Sequence, residues 1–309
     1  MSKWTVSPSP HMLSSNSTSN IMFDVIVALF PALLVGIYVF GPRALIVTLV
    51  CVAACMLSEF VIRKLMKRDN TLGDFSAIVT GILLAFNLPP QVPLWVAALG
   101  SVFAIVVVKQ LFGGIGQNFA NPAITARIFL FVSFSTYMTT WTVPFGYQHM
   151  ADAVAGATPL VDIGSANALD LFLGNVSGCI GEVSAAALLL GGIYLSIRRV
   201  INPLVPLTFI GTVFVFTWVL GENPVNHIFA GGLMLGAIFM ATDYSTTPAT
   251  LKGKLIFALG CGVITTLIRV FGSYPEGVSF AILLMNLVTP LIDRCTQTKP
   301  FGAGGKQHV

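Results

Sequence analysis

The chain has 309 residues, only 9% of them charged and 55% hydrophobic, with a mean hydropathy of +0.87. A soluble domain carries roughly 25% charged residues, so the composition excludes a water-soluble enzyme, a nucleic-acid binder and a disordered chain and leaves a polytopic membrane protein. The 16 Lys and Arg against 12 Asp and Glu give a net charge of +4, which in such a chain describes loops and orientation rather than an acidic partner.

Residues 1–22 form a polar, Ser-rich segment with Lys3 but no apolar core followed by a small-residue cleavage site. It does not read as a secretory signal, and the chain is expected to keep its N-terminus. About ten apolar runs follow, at 23–40, 44–65, 75–88, 94–112, 123–143, 179–197, 203–220, 226–241, 252–270 and 277–293. The third and eighth are too short to cross a bilayer simply. Between the fifth and sixth lies the longest connection, 144–178, and a tail, 294–309, closes the chain. Cys51, Cys55, Cys179, Cys261 and Cys295 form no CxxC pair and read as small buried thiols.

Positive charge tests this partition. Arg63, Lys64, Lys67 and Arg68 follow the second run, Lys109 and Arg127 flank the fourth-to-fifth connection, Arg198 and Arg199 follow the sixth, and Lys252 and Lys254 precede the ninth. Arg294, Lys299 and Lys306 follow the tenth, and no Lys or Arg occurs between Arg127 and Arg198. The positive-inside rule therefore places both termini in the cytoplasm and the 144–178 loop, with Asp152, Asp162 and Asp170, outside. Arg43 in the first outward turn is the one dissenter, and a single charge can snorkel.

The two halves share weak motifs at nearly constant spacing. Leu33 to Tyr38 resembles Leu189 to Tyr194, Gly81 to Phe86 resembles Gly236 to Ala241, and Leu111-Phe112-Gly113 resembles Val270-Phe271-Gly272. Five runs per half is an odd number, so the second half enters from the opposite side. The expected fold is an all-α polytopic membrane protein of two inverted five-helix repeats (23–143 and 179–293), with short or broken helices near the midplane. Those helices end in Phe86-Asn87-Leu88-Pro89-Pro90 and in Thr242-Asp243-Tyr244-Ser245-Thr246-Thr247-Pro248.

Where charges are scarce, those within apolar runs carry information. Glu59 lies four residues before Arg63, the spacing of an ordinary intrahelical ion pair. Glu182 is a second carboxylate of this kind. Asp243, followed by hydroxyls and a proline, is the stronger candidate for a cation or cofactor contact, and Asp243, Asn87 and Glu59 together outline a candidate ion path. The run Gly113 to Ala123 lets the backbone approach a ligand and offers the amides of Asn118 and Asn121 as cofactor contacts. A tight turn capping the fifth helix is an equal reading. The lysine of a P-loop and the dinucleotide fingerprint are both missing, and no metal ligand set or catalytic residue is assigned.

The outward loop contains Asp152-Ala153-Val154-Ala155-Gly156-Ala157-Thr158-Pro159-Leu160. This stretch resembles the flavinylation motif of the RnfD/NqrB family, the flavin-bearing membrane subunits of Rnf and sodium-translocating NADH:quinone reductase complexes. The resemblance implies that a flavin transferase joins FMN through its phosphate to the Thr158 hydroxyl, with Asp152, Gly156 and Ala157 as recognition elements. The family more often has Ser or Thr where this chain has Ala155. Ser9-Pro10-His11, Ser17-Thr18, Ile21 to Ala32, Gly113 to Ala123 and Phe239 to Asp243 are also similar to the family, and the length favours its RnfD side.

Locally, Pro159 biases Thr158 toward an extended conformation, and Gly156 is expected to permit a turn that presents the hydroxyl. The resemblance implies a subunit of an ion-translocating oxidoreductase in a prokaryotic cytoplasmic (inner) membrane. It would relay electrons through covalent FMN between an external-face FMN subunit and iron–sulfur and flavin subunits in the membrane and cytoplasm, coupling ferredoxin and NAD chemistry to Na+ or H+ movement. Free riboflavin is a second flavin in some relatives. No NAD site or iron–sulfur cysteine pattern is present, so the chain is one relay among several subunits. The rival from another class is a solute channel or transporter, since an inverted five-helix repeat is also similar to urea transporters.

Overall fold

The computed structural model describes residues 17–148, 155–156, 158–160, 163–164, 167–272 and 276–297. The principal helices in chain order are α1 (Thr18–Phe40), α2 (Pro42–Leu65), α3 (Ser76–Phe86), α4 (Leu94–Gln110) and α5 (Pro122–Ser133). After the long connection come α6 (Ala185–Ile197), α7 (Leu204–Val219), α8 (Leu233–Leu235, continued by a π-helical turn, Gly236–Met240), α9 (Leu251–Phe271) and α10 (Val278–Thr296). By length and composition α1, α2, α9 and α10 suffice to cross a bilayer, and α3 to α7 are shorter apolar helices. Their outward faces carry Leu57, Val132, Leu190 and Trp218, all more than half exposed. Such a surface is stable only against lipid or a partner.

Local chemistry sets the helix ends. Ser17 caps α1 by accepting from the Asn20 N–H, Asn121 caps α5 by accepting from Ala123 and Ile124 with Pro122 at the first helical position, and Thr250 caps α9. Gly41, at φ 76°, makes the turn between α1 and α2. The two short segments are real. α3 has 11 residues, a rise of about 16 Å against a hydrocarbon core of about 30 Å, and α8 is shorter still. Two expected spans are also trimmed. The fifth stops at Ser133, where Phe134 leaves the helical conformation, and the sixth starts at Ala185 rather than 179. The eighth is broken at Ala230–Gly232 into a short helix, Pro224–Phe229, and α8.

α2 packs on α3 and α4, and α7 on α8, α9 and the short helix before α8. α1 packs along α6, and α5 meets α10. Close approach is written into glycines: a Cβ at Gly191 of α6 would overlap the Ala28 carbonyl oxygen of α1. The turn before α6 lies across the end of α3, with Ile180 N–H donating to Leu88 O at 3.1 Å and Gly181 N–H to Phe86 O at 3.0 Å. These bonds satisfy carbonyls that the early end of α3 exposes.

The 134–178 connection sits at the C-terminal end of α1, where Phe145 N–H donates to Val39 O at 2.9 Å and the Tyr147 hydroxyl to Tyr38 O at 3.0 Å. It contains a two-residue antiparallel ribbon pairing Trp141 with Gly156 and Thr142 with Ala155.

Candidate functional site

Polar chemistry collects at both ends of the bundle and at one point between them. At the N-terminal end of α1 a cavity of about 440 Å³ opens between residues 18–25, α3, the 115–123 segment, α6 and the 239–245 segment. Its walls are largely apolar, with Ser76, Lys109, Asn118, Asn121, Asp243 and Ser245 contributing polar atoms. The size falls in the range of small-molecule sites. Asn118 and Asn121 both line this cavity, in different roles. The Asn121 side-chain oxygen is committed to capping α5, whereas Asn118 Oδ1 is buried with no partner. Asp243 accepts from the hydroxyls of Ser245 and Thr246, each at 3.0 Å. Burial raises its carboxyl above the usual range, opposed by those two hydroxyl bonds.

Glu59 does not rest on Arg63 alone. Fully buried in α2, it accepts from Lys109 Nζ at 2.8 Å, from Gln110 Nε2 and the Thr71 hydroxyl at 2.9 Å each, with Arg63 farther off at 3.8 Å. Lys109 and Gln110 end the π-helical part of α4, Ala104–Gln110, a widened turn of the kind that often marks a functional position. Lys109 Nζ also reaches the Ser76 hydroxyl at 2.6 Å and lines the cavity. Lys109, counted from the sequence among the basic residues flanking the fourth-to-fifth connection, is therefore buried.

Arg127 is a second correction of that kind. It lies inside α5, where its guanidinium gathers Asn87 Oδ1 at 2.7 Å, Glu182 at 3.0 Å, the Ser279 hydroxyl at 3.1 Å, Cys179 Sγ at 3.6 Å and the carboxylate of Glu276. Asn87 therefore belongs to this centre, on a different set of partners from those of Asp243 and Glu59. Glu276 lies in the connection before α10. Burial pushes its carboxyl up to about 7, with Arg127 pulling down and Glu182 pushing further up. One permanently charged guanidinium thus holds two carboxylates, a geometry in which removing the cation strands both.

At the far end of α1, Thr158 is 6% exposed. Its oxygen accepts from Leu160 N–H at 3.4 Å, and it faces a small cleft lined by Val176, Ser177, Gly178, Glu182 and Gly231. Gly156 acts differently from expectation: it lies in the ribbon without a left-handed φ, and a Cβ there would come 2.5 Å from Ser177 Oγ. Its role is close approach. Asp152 and Ala157 lie outside the described residues. Four of the cysteines are buried and Cys295 is exposed, all as free thiols.

The family model described as NQR2, RnfD, RnfE matches residues 5–302. The chain belongs to the NQR2, RnfD, RnfE family. It is 50% identical over 306 residues to the D component of the Na(+)-translocating ferredoxin:NAD(+) oxidoreductase complex of Acetobacterium woodii, covering 96% of this chain and 95% of that one. It is 44% identical over 320 residues to the D component of the proton-translocating ferredoxin:NAD(+) oxidoreductase complex of Clostridium ljungdahlii, covering 97% and 96%. To the D component of the ion-translocating oxidoreductase complex of Stutzerimonas stutzeri it is 38% identical over 337 residues, covering 95% of each.

Within this RnfD-like chain, sequence reasoning missed Lys109, Arg127 and Glu276 as site residues and left Glu182 without a partner. A signal for Arg127 existed: an arginine six positions after the capping Asn121 in an apolar helix is too deep for a loop charge. Glu276 carried none, because its partner is remote in the chain.

Proposed function

We propose that this chain is the flavin-carrying membrane subunit of an Rnf-type ion-translocating oxidoreductase complex, with FMN esterified to Thr158 and electrons relayed across the protein between partner subunits. The observation that carries the reading is the placement of the family's acceptor threonine at one end of the bundle and of a polar-lined 440 Å³ cavity at the other. The bound flavin would supply one- and two-electron transfer. Thr158 would provide the attachment oxygen. Its hydroxyl faces inward with Glu182 in the same cleft, so esterification requires residues 155–160 to turn outward. At the opposite end the orphaned Asn118 oxygen, the Lys109 ammonium and the flat apolar walls suit a planar ring bearing imide and ring nitrogens, such as riboflavin.

Helix packing supports a two-fold inverted repeat. α1 pairs with α6 and α5 with α10 across the halves, while α2 on α3 and α4 matches α7 on α8 and α9 within them. The basic residues that remain at the surface, Lys64, Lys67 and Arg68 at the end of α2, Arg198 and Arg199 after α6 and Lys252 and Lys254 in α9, favour a cytoplasmic cavity and an external Thr158. A reporter fused beside Thr158 that proved cytoplasmic would reverse this orientation. Asp243 in the cavity is the candidate cation contact. Unchanged ion dependence and pumping in Asp243→Asn would remove it.

The deciding experiment is denaturing electrophoresis of the purified complex. A fluorescent flavin band on this polypeptide, absent in Thr158→Ala, is the expected result, with the matching mass increment on the intact chain. A native polypeptide without flavin, or solute flux through the isolated chain, would overturn the reading.

A further inference from the structure

One side of α2 joins an apolar stripe to a group of cations. Leu57, Val61 and Leu65 stand one turn apart along the helix, each half or more exposed. The last turn and the residues after it supply Lys64, Lys67 and Arg68, all exposed, beside a single exposed carboxylate, Asp69. From Arg43 at the start of α2 to Lys64 near its end the helix rises about 32 Å, close to a hydrocarbon thickness of about 30 Å. The three cations therefore sit at the level of lipid phosphates. Lys64 Nζ lies 5.9 Å from the centre of the Phe60 ring one turn back. Lys67 closes the helix at φ 53°, with Arg68 N–H donating to Arg63 O at 3.0 Å. Glycine is the usual residue at such a position, and here a charged side chain takes it.

The glycine-rich connection after α4 completes this surface. Arg68 Nη1 donates to Gln110 O at 3.4 Å, and a Cβ on Gly114 would lie 2.8 Å from Arg63 Nη2, so the connection runs alongside the end of α2. It presents Leu111, Phe112 and Phe119, all exposed, with the two rings 4.8 Å apart. Arg63 is already committed to Glu59 and the Asp69 carbonyl. Among the described residues no carboxylate lies within ion-pair distance of Lys64, Lys67 or Arg68. We infer that this end of α2, with residues 111–119, binds an anionic phospholipid. Its phosphate meets Lys64, Lys67 and Arg68, and its acyl chains run along Leu57, Val61 and Leu65. The continuity of stripe and cations selects lipid: a phospholipid presents acyl chain and phosphate in that order, whereas an acidic protein face would need the cations alone. Exposed Phe and Leu at the same level suit the boundary between headgroups and chains.

Favourable interaction with the C-terminal end of α2 is the competing role for these cations, and it gives no preference between lipids. The test places the whole purified complex in phosphatidylcholine nanodiscs with trace photoactivatable phosphatidylglycerol or phosphatidylcholine. Mass spectrometry locates the crosslinked peptides. Each cation at a charged surface contributes about fivefold in affinity, so three favour phosphatidylglycerol on the order of 100-fold at residues 57–68 and 111–119, less as salt rises. Lys64→Gln/Lys67→Gln/Arg68→Gln should abolish the preference, and Lys64→Arg/Lys67→Arg/Arg68→Lys should keep most of it. Equal labelling by the two lipids in the native complex, or an undiminished preference in the Gln variant, would overturn the inference. So would a surface that neither lipid labels and that crosslinks to a neighbouring subunit, which would make it a protein interface. The comparison of the two lipids across the salt series needs only the native complex, so a Gln variant that fails to assemble leaves the outcome decided.

Discussion

Replacing Lys109 by Met tests the buried pair that ties α2 to α4. Glu59 is fully buried and Lys109 is 2% exposed, with 2.8 Å between their charged atoms. Removing one partner of a buried ion pair costs roughly 3–5 kcal/mol, because the remaining charge is stranded. Here Glu59 keeps the Thr71 hydroxyl, the Gln110 amide and, at 3.8 Å, Arg63. The loss should therefore fall at the low end, about 3 kcal/mol. In Glu59→Gln/Lys109→Met no buried carboxylate is left behind, and the glutamine oxygen still accepts from Thr71 and Gln110. The double variant should lose only about 1 kcal/mol, about 2 kcal/mol less than Lys109→Met alone. Titration with a denaturing detergent in mixed micelles, followed by tryptophan fluorescence, reads both variants and the native protein on one scale. A single variant that loses under about 1 kcal/mol, or a double variant at least as damaged as the single, would refute the reasoning.

Gly191→Val places a branched side chain where a Cβ alone already overlaps the Ala28 carbonyl. It should lower the same midpoint by about 3 kcal/mol, whereas Gly211→Ala, in open space, should leave it within about 0.5 kcal/mol. Glu276, raised from 4.5 to about 7, binds its proton more tightly folded than unfolded. Its contribution is greatest below about pH 4.5 and falls away as the pH rises to about 7, on the order of 3 kcal/mol in all. Glu276→Gln should flatten stability against pH across that window, and an unchanged slope would exclude Glu276 as its source. Among the cysteines, native maleimide labelling should modify Cys295 alone, the other four being buried. Rapid labelling of Cys179 would contradict its place against Arg127.

The membrane architecture was legible because composition and run length are local properties. The long helices came within a few residues of their predicted limits, and the shortness of α3 and α8 was visible in the runs themselves. The interior charges were not legible. Lys109 and Arg127 lie next to a glycine-rich connection, and the rule that assigns such residues to loops has no means of detecting Glu59, 50 positions away, or Glu182, 55 positions away. The partner of a buried charge is a tertiary fact. Asn87 was singled out because a short helix ends there, and the structure adds what the sequence did not show, that its side-chain oxygen accepts from Arg127. Gly156 drew notice for its conformational freedom, and packing against Ser177 is what requires it.

The turn that lays Ile180 and Gly181 onto the end of α3 has a consequence for biogenesis. Until that segment has left the ribosome, the carbonyls of Phe86 and Leu88 face a lipid or half-built interior without a donor, and Arg127 lacks both of its carboxylates. The first half of the chain is therefore an incomplete insertion intermediate rather than a module that folds alone. Its maturation waits for residues synthesised after the long loop. Severing the chain in that loop should still give a functional protein when both pieces are made together, and a rapidly degraded fragment when the first is made by itself.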